Sequence, residues 1–163
     1  GIPAARWAVL AGNFMDAKTA NDLGLITHLV DVAAVDEAVG QISNQGKPEN
    51  KYPGQAANPQ SPVAQFANDF FANANMEDIM NGICPQGFDA EDKQVARQMK
   101  SLKFTAPIAL AKASELIDAT GSTDLSAGLA LELAGLNGIF STADSLEGLS
   151  ALIEGRRPTY TNQ

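Results

Sequence analysis

The second half of the chain carries apolar residues at a helical period. The clearest run is Leu125, Leu129, Leu133, Leu136 and Phe140, at steps of four, four, three and four. At 3.6 residues per turn these five share one stripe, which predicts a helix over 124–140 with that stripe facing a core. A following helix over 143–154 packs through Leu146, Leu149, Leu152 and Ile153. Upstream, Ser61-Pro62 supplies an N-cap and a Pro at the first helical position. The helix it opens runs to about residue 71, with Val63, Phe66, Phe70 and Phe71 as its apolar face. A short helix over 75–83 has Glu77 and Asp78 in its first turn, where the macrodipole favours them. Asp89 is expected to cap the next helix, burying Val95, Met99 and Leu102 and placing Lys100 and Lys103 near its C-terminus. From Thr105 and Pro107 to Gly121, Ile108, Ala111, Leu116 and Ile117 face inward.

The first 42 residues are less regular. A helix over 3–11 has Trp7 and Leu10 three apart. Asp16 caps a second over 17–23, which stops at Gly24, and Asp36 opens a third through Ile42. Leu25, Ile26, Thr27, His28, Leu29 and Val30 are β-rich and predict one strand over 25–30. A single strand leaves its backbone groups unpaired, so a sheet from elsewhere is expected to complete it. Between Ser43 and Ser61 the residues turn to Pro, Gly, Asn and Gln with few apolar anchors, the composition of a linker. The expected organisation is therefore 1–42, a linker over 43–61, and a helical domain over 62–163.

Charge narrows the function. Eleven Lys and Arg against 19 Asp and Glu give a net charge of −8, the wrong sign for nucleic acid or an anionic membrane. No apolar run reaches the ~20 residues of a membrane span. Cys84 is the only cysteine, which excludes an internal disulfide and points to a reducing, cytoplasmic setting. One His and one Cys, His28 and Cys84, give no zinc-like spacing. His28 reads as a hydrogen-bonded residue at a strand edge, and Cys84 as a small buried one. Glu132, interrupting the leucine stripe, is expected to pair with an Arg or Lys. No glycine-rich phosphate loop is present. Arg156 and Arg157 follow a helix C-terminus, where cations are stabilised by about 0.3–1 kcal/mol. The same two guanidinium groups could instead receive phosphate oxygens bidentately.

Two segments carry a family likeness. One is Ala5-Arg6-Trp7-Ala8-Val9-Leu10-Ala11-Gly12, followed by Asp16-Ala17-Lys18-Thr19-Ala20 and Gly24-Leu25-Ile26. The other runs from Leu131-Glu132-Leu133 through Phe140, Thr142, Asp144, Glu147-Gly148, Ala151, Glu154 and Arg156 to Pro158. Together they cover about 50 of the 163 residues and resemble the crotonase superfamily, the enoyl-CoA hydratases and isomerases. The middle, around Phe70-Phe71, is similar to the hydroxyisobutyryl-CoA hydrolase branch and to hydratase modules fused to 3-hydroxyacyl-CoA dehydrogenases. The resemblance implies a mainly α chain, the C-terminal helical region of a ββα-spiral fold, with one residual strand at 25–30.

It also implies an acyl-CoA substrate with no cofactor, hydration of 2-enoyl-CoA in fatty-acid β-oxidation, and a trimer-type homo-oligomer. A fused dehydrogenase module is a candidate neighbour. Enoyl-CoA isomerisation, thioester hydrolysis and a non-catalytic helical assembly module are the alternative readings. The family's oxyanion-hole and acid/base residues match no position here, so none is assigned a catalytic role. The expectation is a C-terminal piece without turnover of its own. Trp7 resembles the acyl-pocket wall, and Phe140, Arg156 and Arg157 resemble the nucleotide end of the CoA site. Many members have a Lys where this chain has Gly155, which weakens the match at that end.

Overall fold

A computed structural model describes residues 1–26, 28–45, 58–72 and 74–163. Among these residues the chain forms helices and turns and no strand. The helices are α1 (Ile2–Val9), α2 (Ala17–Asp22), α3 (Val35–Gln45), α4 (Pro62–Ala72), α5 (Met76–Met80), α6 (Lys93–Lys103), α7 (Pro107–Thr120), α8 (Leu125–Phe140) and α9 (Ala143–Glu154), with a 3-10 turn at Val32–Ala34. The mainly helical class expected from the sequence is therefore present.

Capping chemistry explains most of the boundaries. The Asp16 carboxylate accepts from the Thr19 N–H at 2.7 Å, and Gly24 takes φ +74° just beyond α2. Ser61 Oγ accepts from the Ala64 N–H, Asn75 from Glu77 and Asp78, Asp124 from Ala127, and Thr142 from Ser145. One cap is corrected. Asp92, not Asp89, opens α6 by accepting from Gln94 and Val95, while Asp89 holds the turn before it through Glu91. Both are Asx residues ahead of the same apolar run, and the chain uses the nearer one.

Among the described residues the expected strand is absent. Leu25, Ile26, His28, Leu29 and Val30 lie in neither helix nor strand, and Thr27 is outside the described residues. β-propensity expresses itself only against a neighbouring strand, and the described residues supply none. The expected linker falls largely on 46–57, also outside the described residues. At its near edge α3 continues through Gln45, three residues further than the sequence reading placed it.

Contacts group the chain into two units, Gly1–Asn13 with Asp69–Gln163, and Phe14–Asn68. This grouping differs from one drawn at residues 42 and 62, because α1 packs with the C-terminal helices. In the larger unit α7 is the hub, contacted by α1, α5 and α8. Its core contains Phe70, Phe71, Ile79, Leu102 and Leu110, all essentially inaccessible to solvent. Phe70 meets Phe71 and Phe88 edge-on, with ring centroids 5.0 and 5.2 Å apart. Each such side chain contributes about 1.5–3 kcal/mol by burial. Arg6 ties α1 to this core, bonding Asp118 through both carboxylate oxygens and the Phe71 carbonyl at 3.1 Å. In the smaller unit, Lys18 pairs with the buried Asp22 at 2.6 Å, and the Asp22 carbonyl accepts from the Asn58 N–H.

The leucine stripe is the largest departure from expectation. Leu125 is 81% exposed and Leu133 68%, and Leu129, Leu136 and Phe140 are also exposed. On α9, Leu146, Leu149, Leu152 and Ile153 are exposed as well, and Ala151 and Asp144 are buried instead. Helix α8 meets α7 through a different face. A Cβ at Gly128 would stand 3.3 Å from Thr120, and one at Gly135 would stand 3.4 Å from the Lys112 side chain. At 100° per residue Gly128, Gly135 and Ile139 lie roughly 100° round the axis from the leucine stripe. Close approach of two helices needs small residues at the contact, so the glycine face wins. Glu132 is exposed and makes no ion pair with the described residues, contrary to the pairing expected of it.

Candidate functional site

The end of α9 is where sequence, geometry and charge converge. Gly155 adopts φ +66°, and the N–H groups of Gly155 and Arg156 bond the carbonyls of Leu152 and Ala151. This Schellman closure requires a left-handed residue, which glycine adopts without a Cβ penalty. It reverses the chain, so that the tail runs back beside α9. Arg156 then meets Glu147, about two turns before the helix end, through both terminal guanidinium nitrogens, and Glu154 through Nε at 2.6 Å. The Arg156 hydrogen bonds, with help from the Thr159 N–H, bring the Glu147 carboxyl down to about 2 from the usual glutamate range. The same pairing raises the pKa of Arg156.

Arg157 is placed otherwise. Its guanidinium carbon lies 5.2 Å from the centroid of the Phe104 ring, an exposed aromatic at the end of α6. The last turn of α6 carries Lys100 and Lys103. The cluster of positive charge at this end therefore draws on two segments more than fifty residues apart in sequence. Both the partner of Arg157 and the neutralising partner of Arg156 escape the sequence reading. Glu147 sits in the recognisable Glu-Gly pair, but nothing in its spacing from Arg156 announces a salt bridge. Phe104 carries no signal at all.

The tail is pinned further along. Asp144, only 2% exposed, accepts from the Thr161 N–H at 2.7 Å and from the Asn162 N–H at 3.0 Å. Its own N–H donates to the Gln163 carbonyl at 3.1 Å. Tyr160 lies over Gly148, where an added Cβ would be 3.4 Å from the phenolic oxygen. Beneath it is a cavity of about 230 Å³ lined by Phe140, Ile139, Ile108, Leu149, Gly148 and Tyr160.

The four residues singled out from sequence thus have different fates. Phe140 edges this small cavity. Trp7 is buried in α1, and its carbonyl accepts from Asn13, which also bonds Gln98. It lines neither the Phe140 cavity nor a larger one between α5 and α7. Arg156 is held by two carboxylates, and Arg157 by an aromatic face. Cys84 is partly exposed, not fully buried, and its thiol is pushed above its ordinary value by desolvation and by Asp89. That is the reverse of a reactive thiolate. Among the described residues no three His, Cys, Asp or Glu side chains could hold a metal ion, and no helix is long and apolar enough to cross a membrane.

Comparison with known proteins gives these features a context. The chain is similar to a probable mitochondrial enoyl-CoA hydratase 2 of Arabidopsis thaliana, 32% identical over 79 residues, which are 48% of this chain and 26% of that protein. It thus spans about a quarter of the length of that curated relative. No solved structure matches it. A family model, enoyl-CoA hydratase/isomerase, matches residues 3–163, which include both sequence segments discussed above and the whole α9 and tail arrangement. The chain belongs to the enoyl-CoA hydratase/isomerase family.

Proposed function

We propose that this chain is the CoA-facing helical part of an acyl-CoA enzyme that hydrates 2-enoyl thioesters, as in fatty-acid β-oxidation. In that reaction water adds across the double bond while paired N–H donors stabilise charge developing on the thioester oxygen. No residue of this chain is assigned to those donors or to the acid/base pair. Its role is to receive the nucleotide end of CoA and to assemble with further copies, in a cytoplasmic protein.

The observation that carries this reading is the unequal state of the two arginines. Arg156 has its charge balanced by Glu147 and Glu154, so a phosphate would have to compete with two carboxylates. Arg157 faces the Phe104 ring, forms no ion pair among the described residues, and keeps its N–H edge for an anion. With Lys100 and Lys103 on the neighbouring helix end, it offsets locally the repulsion that a net charge of −8 exerts on CoA. Calorimetric titration with CoA tests this. Arg157→Ala is expected to weaken binding about fivefold, the upper end for an exposed pair, and Arg156→Ala much less. Equal losses, or no CoA binding by the wild type, would overturn the assignment. Loss of crotonyl-CoA absorbance with the purified chain would in turn overturn its non-catalytic role.

A second reading has its own support. The exposed leucines of α8 and α9 suit a helical assembly surface, in a trimer-type homo-oligomer or against a fused dehydrogenase module. Leu129→Glu with Leu133→Glu would then shift the sedimentation coefficient toward the monomer without lowering monomer stability. An unchanged oligomeric state would exclude that face.

A further inference from the structure

A cavity in the larger unit lies between α5 and α7; it shares Ile108 with the Phe140 cavity, and no residue of the arginine cluster lines it. Its volume is about 670 Å³, within the range of small-molecule sites. The floor is apolar and supplied by Met76 and Met80 from α5 and by Ile108 from α7. Thioether side chains are unbranched and polarizable, and they adapt to irregular hydrocarbon. The rim carries charge of one predominant sign. Glu77 stands on α5 and Glu115 on α7, and the cation among the lining residues, Lys112, is bound by both Glu115 oxygens at 3.0 and 3.1 Å. Glu77 has no ion pair among the described residues.

We propose that this cavity binds an aliphatic amine, with its hydrocarbon on the methionines and Ile108 and its ammonium at the carboxylate rim. The charge balance selects the ligand. One Lys against two Glu leaves the rim net negative, so a fatty carboxylate or a CoA phosphate is repelled where an ammonium is attracted. The apolar floor rejects a purely ionic ligand, since burying a metal ion there would leave its coordination shell unfilled. The site is independent of the CoA reading above, because it uses none of its residues and favours the opposite charge.

Methyl-labelled methionine provides the readout. The chain has four methionines, of which Met76 and Met80 line the cavity and Met15 and Met99 do not. Hexylammonium is expected to shift the Met76 and Met80 methyl resonances saturably and to leave Met15 and Met99 in place. Hexanoate at equal concentration should not. Glu77→Gln should weaken hexylammonium about two- to fivefold, the range for an exposed charge pair. The double variant Glu77→Gln, Glu115→Gln leaves Lys112 unpaired and should reverse the preference to hexanoate. Equal shifts from both probes in the wild type, equal shifts of all four methionines, or a preference that survives the double variant would each overturn the proposal.

Discussion

Removing the Asp144 carboxylate tests whether the tail is a strap held by one buried acceptor. Asp144→Ala deletes acceptors for the Thr161 and Asn162 N–H groups, both charge-assisted bonds. Such bonds contribute about 1.5–3 kcal/mol each, so the gross loss is roughly 3–6 kcal/mol. Two effects reduce it. The released N–H groups can turn to water, so no donor is stranded in the interior. The freed residues 161–163 also regain about 1–2 kcal/mol of backbone entropy apiece. These nearly cancel the bonds, and a net loss of about 1–2 kcal/mol remains, part of it the favourable placement of a carboxylate in the first turn of α9. The local effect is much larger than the global one. Hydrogen exchange at Thr161 and Asn162 should lose all protection, while urea unfolding shifts only modestly. In a chain ending at Pro158 the same substitution should cost little more, because the coupling partner is gone. Protected amides at Thr161 and Asn162 in the variant would refute the strap. A loss above about 4 kcal/mol would show instead that Asp144 supports the core.

Glu147 gives the tail a pH dependence. Its folded pKa, about 2, lies below the ordinary glutamate value of 4.5, so its stabilising bonds to Arg156 and Thr159 are fully present above that value and are lost as pH falls toward 2. Carboxyl titration by NMR should place its midpoint near 2, and Glu147→Gln should remove the acid loosening of the Thr159 amide. Phe70→Ala, at a site without solvent exposure and with two edge-on ring partners, should cost about 3–5 kcal/mol in urea unfolding. Gly121→Ala should cost about 1–3 kcal/mol, because the new Cβ would meet Ile2 Cδ1 and the Asp118 carbonyl between α1 and α7; an unchanged midpoint would show that α1 yields freely.

Much of this molecule is legible along the chain. Helices α2, α4, α5, α8 and α9 begin where an Asp, Ser, Asn or Thr meets an apolar period, because capping is a local reaction between a side chain and N–H groups two or three residues away. Gly24 and Gly155 mark stops for the same reason: a left-handed backbone is a property of one residue. The family ending around Glu147-Gly148 is legible too, and the match over 3–163 agrees with it.

The direction each helix faces is a different kind of fact. Periodicity identifies the leucine stripe of α8 but not its burial, because burial needs a second surface at the right distance. Helix α7 approaches through Gly128 and Gly135, and the leucines remain outside. The segment 25–30 has strand propensity, yet its described residues form no ladder, since backbone pairing is set by whatever lies alongside. The two adjacent arginines are equivalent in sequence. Only the reversal of the chain after Gly155 gives one to Glu147 and the other to Phe104, and so decides which charge remains available. Local chemistry therefore determined the elements and their ends, and tertiary contact determined which faces, strands and charges were used.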